Sequence, residues 1–319
     1  MQLRKKIILG VIMLTLVVFT TALYWKQVGS AERAPESASG IQGKSAAGPR
    51  LSRLDNSNRS VPLPALDLSV GAMFEQLKAR ADQGDALASC RLAVELINCT
   101  QLKSLAQVGY MENSQSAERD LSESGALVAA NSVAAQQIRI LESEKRCAGI
   151  SEGQRKLAGR YLFQAANAGI PEAMIRYAEG QSITTGASMY GLLQDQGFNQ
   201  WHREAPGLLE KALEHGEPAA VFVLYVANSD DNSLIGGLIV DDPAKAYSYR
   251  LLMSRLRGKS DTPASKLSSR KMAEAAQSAS RMHAEYFNNR ILREPDAFSS
   301  MMTPAWTRPE GSAPRRPCE

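Results

Sequence analysis

The sequence predicts an all-α fold: a solenoid of stacked helix pairs, preceded by one transmembrane helix and a flexible linker. Three observations predict it. One turn recurs in register. "ADQGDALASCRL" sets Ala81, Gly84, Ala88 and Leu92 at intervals of three, four and four, and "AANAGIPEAMIRYA" repeats them at Ala166, Gly169, Ala173 and Tyr177. "LEHGEPAAVFVL" does so again with Leu213, Gly216, Ala220 and Leu224. Composition is the second observation: aromatic residues make up only 6% of the chain while alanine and leucine abound, which favours helix over sheet. The third is an uncharged run near the start.

That run is "IILGVIMLTLVVFTTALYW", residues 7–25. Nineteen helical residues come close to the roughly 30 Å of a hydrocarbon core. Arg4, Lys5 and Lys6 precede it and only Lys26 follows, so the positive-inside rule keeps residues 1–6 in the cytoplasm. Tyr24 and Trp25 stand where interfacial aromatics belong. The rest of the chain is then expected on the outer face of a bacterial inner membrane, in the periplasm. The competing reading is a signal peptide cut after Ser30 or Ala31. Signal h-regions usually span about 7–15 residues, shorter than this run, which favours an uncleaved anchor.

Residues 26–70 are rich in Ser, Ala, Gly, Pro and Arg with little apolar periodicity, the composition of a disordered tether. As a random coil this length reaches roughly 35 to 40 Å on average. Residues 71–291 read as helix upon helix. In "DALASCRLAVELINC", Ala88, Leu92, Leu96 and Cys99 share one face, and Leu87, Cys90, Val94 and Ile97 form a second apolar stripe. A helix apolar on two sides is sandwiched between neighbours.

The glycines of the three turns sit where a helix-ending residue must adopt a left-handed backbone, which glycine does without a Cβ clash. The flanking alanines let two antiparallel helices approach closely. Pro171 and Pro218 follow at first-turn positions that need no N–H. The interval from Gly169 to Gly216 is 47 residues, near one repeat plus a loop, whereas Gly84 to Gly169 is 85. The excess marks an inserted helical hairpin at about 100–147. Within it, residues 116–146 are rich in Ala, Glu, Gln and Arg and predict one long, mostly solvated helix, with Ile138 and Leu141 as a narrow apolar strip. Further on, Asp242 and Pro243 make an N-cap and first-turn pair, and Gly258 a stop. Residues 292–319 are Pro-rich and predict an irregular tail, with Trp306 either docked on the last helix or exposed.

The recurring turn, followed by "GGLIVDDPAKAYSY", resembles the Sel1-like repeat, a relative of the tetratricopeptide repeat. In that family a Gly-rich loop, an Asp and a Lys-Ala pair lead into the second helix of each unit. Gly236, Gly237, Asp242, Lys245 and Ala246 occupy those places. The best match runs over about 205–258; those around 79–99 and 158–180 lack the loop and look degenerate. The resemblance implies a right-handed helical-repeat solenoid that assembles proteins.

Four cysteines, Cys90, Cys99, Cys147 and Cys318, allow three fully paired connectivities, and sequence alone does not choose among them. An exported chain meets an oxidising compartment. Position favours a bond between Cys99 and Cys147, which bracket the insertion and would clamp its base. Cys90, inside an apolar stripe, reads as a buried hydrophobe and Cys318 as free in the tail, with the pairing state of both left open.

Residues with catalytic patterning are scarce. No Gly-x-Gly-x-x-Gly, Walker loop, Gly-x-Ser-x-Gly or His-Glu-x-x-His occurs. The cysteines lack Cys-x-x-Cys spacing and the nearest histidine is His202, so no metal or other cofactor is expected. His202, His215 and His283 are scattered, and His215, beside a turn glycine, suits a helix C-terminus. Ser268 and Lys271 have Ser-x-x-Lys spacing without a Lys-Thr-Gly partner, a match expected by chance in a serine-rich chain. The formal charge of +4 includes basic residues near both ends, and no basic stripe interleaved with aromatics occurs in the middle, which argues against nucleic acid. The expected function is a non-catalytic interaction scaffold holding a protein or peptide, attached to the membrane through residues 7–25. The rival is an enzyme acting on cell-wall peptide or β-lactam, because some cysteine-rich Sel1-like proteins have been linked to penicillin binding. The paired-cysteine repeats of those proteins are absent.

Overall fold

The structure, a computed structural model, describes residues 62–183, 196–229, 233–259 and 265–292, together with Phe298 and Cys318. The expected membrane helix at residues 7–25, most of the tether and Trp306 lie outside these. Among the described residues the regular structure is entirely helical, and no helix is long and apolar enough to cross a membrane.

Two helices open the stack, α1 (Val70–Asp82) and α2 (Ala86–Gln107), followed by the hairpin helices α3 (Tyr110–Glu123) and α4 (Leu127–Cys147). A single turn, α5 (Glu152–Arg155), leads to α6 (Ala158–Asn167) and α7 (Pro171–Ala178). Then come α8 (Gln196–Glu214), α9 (Pro218–Ala227), a 3₁₀ turn at Gly236–Leu238, α10 (Pro243–Leu256) and α11 (Ser269–Phe287). Packing follows chain order with one exception. α1 lies on α2, α6 on α7, α7 on α8, and α8 to α11 continue the series pairwise. α2 skips the hairpin and packs on α6.

The three recurring turns share one geometry. Gly84, Gly169 and Gly216 have φ of +90°, +89° and +72°. At each, the glycine N–H donates to the carbonyl three residues back, and the next N–H donates to the carbonyl five back: Asp85 to Arg80, Ile170 to Ala165, Glu217 to Ala212. This paired closure satisfies carbonyls that a helix end would otherwise leave bare. Asp85 caps α2 by accepting from the Ala88 N–H at 3.0 Å, and Pro171 and Pro218 open α7 and α9. Ala81, Ala88, Ala166, Ala173 and Ala220 are all fully buried, where a larger side chain would hold the helices apart.

One core runs through the stack, from Met73 and Leu77 of α1 to Met282 and Phe287 of α11. Trp201 of α8, fully buried, donates its indole N–H to the Tyr177 carbonyl of α7 at 2.8 Å. Tyr161 of α6 donates to Asp82 Oδ1 at the end of α1 at 2.9 Å, and Gln164 Nε2 donates to the Ala81 carbonyl at 2.7 Å. Side chains therefore latch the first turn to the helix two places along the stack.

Three boundaries differ from the sequence expectation. The long helix expected over 116–146 is two helices, because Gly125 takes φ +79° and closes α3 with the same paired bonds as the other turns. The insertion also starts later than residue 100, since α2 runs unbroken to Gln107. The tether ends before residue 70: Leu63 packs against the core, the Pro62 carbonyl accepts from Arg80, and the Leu66 carbonyl accepts from Arg146.

Candidate interaction surfaces

Two places on the stack combine charge, burial and disulfide bonding. The first is the base of the hairpin. Cys99 of α2 and Cys147 of α4 are bonded, their Cα atoms 5.4 Å apart. Leu102 and Ile140 form a small separate core beside them, with Leu105, Tyr110 and Met111 packed against it. Glu95 Oε1, almost fully buried, accepts from Arg146 Nη2 of α4 at 3.0 Å and pairs with Arg91 Nη2 of its own helix at 2.9 Å. Arg91 is fully buried. On the solvent side Lys103 Nζ donates to Glu152 Oε2 at 2.6 Å, holding the Glu152 carboxyl below its ordinary range. Away from the base the hairpin buries little. α3 contains no buried residue, while Leu127, Val128, Ile138 and Leu141 of α4 are exposed.

The second place lies where α2 and α7 meet Cys318. Cys90 of α2 is bonded to Cys318, with Cα atoms 5.8 Å apart, and both are buried. The sequence left the pairing state of both open, and the bond stands against reading Cys90 as an unpaired hydrophobe and Cys318 as free. The apolar stripe that buries Cys90 does not distinguish a thiol from half of a disulfide. The Cys318 N–H donates to Glu172 Oε2 of α7 at 2.7 Å. Arg176 Nε and Nη2 both donate to Glu172 Oε1, at 2.9 and 2.8 Å, and Arg176 Nη1 donates to Gln181 Oε1 at 3.0 Å. Phe298 is also buried, with Arg257, the residue that ends α10, over its ring at 4.6 Å. The tail expected to be irregular is thus anchored at Phe298 and Cys318.

The remaining sequence candidates fall into structural roles. Gly236 and Gly237 sit in the 3₁₀ turn, and Gly236 N–H donates to Ser233 Oγ. Asp242 caps α10, accepting from the Ala244 and Lys245 N–H groups at 2.9 and 3.1 Å. Ala246 is buried one residue further on, and the Lys245 side chain is exposed. Ser268 caps α11, accepting from the Lys271 backbone N–H, and both residues are exposed. His202 and His215 are exposed, and His283 Nε2 lies 3.0 Å from the Arg290 carbonyl. No cluster of three metal-ligating side chains occurs among the described residues. A groove of about 690 Å³ runs between α10 and α11, lined mainly by Tyr247, Leu251, Met272, Ala276 and Ile291.

Sequence reasoning found the hairpin clamp and the turns but passed over Arg91, Glu95, Glu172 and Arg176. A signal was present. Arg91–Glu95 and Glu172–Arg176 are each spaced i, i+4 on helices otherwise apolar all round, where a charged pair has no solvated face to occupy. Comparison of the chain with protein-family models, with curated proteins and with solved structures finds no match in any of the three.

Proposed function

We propose that this chain is a non-catalytic interaction scaffold or adaptor built as a degenerate Sel1-like, tetratricopeptide-like solenoid. In this reading residues 7–25 tether it to the bacterial inner membrane and the helical stack stands on the periplasmic side. The single observation that carries the proposal is the recurrence of one turn, at Gly84, Gly169 and Gly216, with the same φ sign, the same paired hydrogen bonds and a buried alanine four residues after each glycine. Stacked helix pairs of this kind expose long continuous surfaces suited to proteins and peptides rather than to one small substrate. The two disulfides favour the exported side of a membrane. The hairpin is the feature a plain repeat stack lacks, and its exposed apolar residues on a polar helix suit a partner-binding arm.

Copurification from envelope extracts tests this. The full chain should recover a stoichiometric protein partner, and deletion of residues 112–144 with both cysteines kept should lose it while the stack stays folded. Recovery unchanged by the deletion moves the recognition surface to the stack itself. A labelled penicillin that acylates Ser268 would replace the scaffold reading with an enzymatic one. A reporter active only outside the cytoplasm, fused after Glu319, should be active, and a mature N-terminus at Ala31 or Glu32 would replace the anchor with a cleaved signal.

A further inference from the structure

A buried carboxylate that accepts from a backbone N–H of a distant segment has the makings of a peptide-recognition device. Glu172 fits that description. The forked guanidinium of Arg176 holds Oε1 by two bonds, and Gln181 holds Arg176 in turn, so Oε2 is oriented before any peptide arrives. Glu172 and Arg176 are each 8% exposed and Gln181 1%. Charges at that depth need partners, and the N–H of Cys318 is one of them. Its contact uses only main chain, which any polypeptide can offer. Next to it Cys90 supplies a covalent bond to the residue whose N–H is read. One residue is therefore gripped twice, by its amide on α7 and by its sulfur on α2.

We propose that α2 and α7 form a polypeptide-binding surface, occupied in cis by this chain's own Cys318, and that the Cys90–Cys318 disulfide is its lock. The proposal rests on the scaffold reading and deepens it. The ligand class is a cysteine-bearing peptide that turns at its cysteine, as Cys318 does with φ +69°. A dithiol opens the lock: one thiolate attacks the Sγ–Sγ bond, its second thiol resolves the mixed disulfide, Cys90 and Cys318 leave as thiols, and the dithiol becomes a disulfide. The Cys90 thiolate can then attack a peptide cysteine held as a mixed disulfide with a small thiol. The bond Cys90–S–S–peptide forms and the small thiol leaves.

The test uses the full chain carrying Cys318→Ser, so that Cys90 is a thiol. The probe is a synthetic peptide of residues 309–319, offered as its glutathione mixed disulfide. Intact mass and peptide mapping follow its transfer to Cys90. Two control peptides keep the activated cysteine: one has a scrambled sequence, the other an N-methyl group in place of the cysteine N–H. Transfer of the unmodified peptide should be at least tenfold faster than of the N-methyl peptide, and Glu172→Ala should erase that difference. Equal rates for unmodified and N-methyl peptides overturn the proposal, since thiol access alone would then explain capture. A scrambled peptide captured as fast as the native one, with the N-methyl effect intact, supports recognition of main chain only. If Cys318→Ser does not fold, the wild-type chain decides: dithiol should speed deuterium exchange at the Cys318 amide at least tenfold, and unchanged exchange overturns the lock. A partner that copurifies equally under oxidising and reducing conditions sinks this inference and leaves the scaffold reading standing.

Discussion

Gly84 and Gly216 close equivalent turns, yet a methyl group would meet different surroundings at the two. A Cβ at Gly84 would touch nothing within 4 Å, so Gly84→Ala should cost only the left-handed backbone strain, about 1–2 kcal/mol. A Cβ at Gly216 would lie 2.5 Å from the Tyr286 carbonyl oxygen, backbone that cannot swing aside. Gly216→Ala should therefore lower the urea midpoint clearly more than Gly84→Ala, and equal midpoints would refute close packing of α11 on this turn. Asp82 offers a pH-dependent test. Its bond from Lys78 Nζ, and next its bond from Tyr161, hold the carboxyl below the ordinary range. The folded value is depressed, so the stabilisation is present above the unfolded value of about 3.9 and lost as pH falls through the lower folded value. Carboxyl NMR should give a midpoint below 3.8 for Asp82, and Lys78→Met should raise it more than Tyr161→Phe. A midpoint indifferent to Lys78→Met would show that the Lys78–Asp82 bond does not persist in water.

The hairpin shows how an element differs from the stack that carries it. α2 buries residues on every side, whereas α3 buries none and α4 only Ala130 and Ile140. Its order depends on the base: the Cys99–Cys147 bond, the Glu95–Arg146 pair and the Lys103–Glu152 pair. Closing 48 residues is worth roughly 4 kcal/mol in the chain-entropy model. Cys99→Ala should thus lower global stability by up to about 4 kcal/mol, and hydrogen exchange in α3 and α4 should accelerate more than in α6 to α9. Uniform acceleration would mean that hairpin and stack open as one unit. The elements were legible in the sequence to the extent that local chemistry decides them. A glycine-closed turn with buried alanines leaves its whole pattern within a dozen residues, as at Gly169. The split at Gly125 was harder to see, because a polar stretch precedes it, with Ser122 where the other turns carry Ala81, Ala166 or Leu213. The spacing of Arg91–Glu95 and Glu172–Arg176 was legible, but what else Glu95 and Glu172 hold was not, since those partners come from far along the chain. Arg146 lies 51 residues from Glu95, and Cys318 lies 146 from Glu172.

At the scale of the whole molecule, the stack passes contacts from each helix to its neighbour, and the Cys90–Cys318 bond interrupts that order. Arrays held by neighbour contacts alone lose cooperativity as they lengthen, because terminal units can open without the rest. Here a bond spanning 228 residues ties the chain beyond α11 to α2, near the other end. In the chain-entropy model closing a loop of that length stabilises by about 5 kcal/mol, mainly through the unfolded ensemble. Further anchors hold the same chain to the last helices: Arg290 Nη2 donates to the Gly216 carbonyl at 2.8 Å, the Leu292 N–H to the Leu256 carbonyl at 2.7 Å, and Arg257 stacks on Phe298. The expected consequence is a single cooperative unfolding transition in the oxidised protein, with amides of α11 and α2 protected to similar free energies. Cys318→Ser should separate them. The anchors near α10 remain in that variant, so α10 and α11 should keep their structure, but their opening should no longer be coupled to α1 and α2. Native-state hydrogen exchange reads this directly: α11 amides should exchange at a lower denaturant concentration than α2 amides in Cys318→Ser, and together in the oxidised chain. Coincident exchange in both proteins would mean that helix packing alone couples the ends, and that the bond adds stability without adding cooperativity.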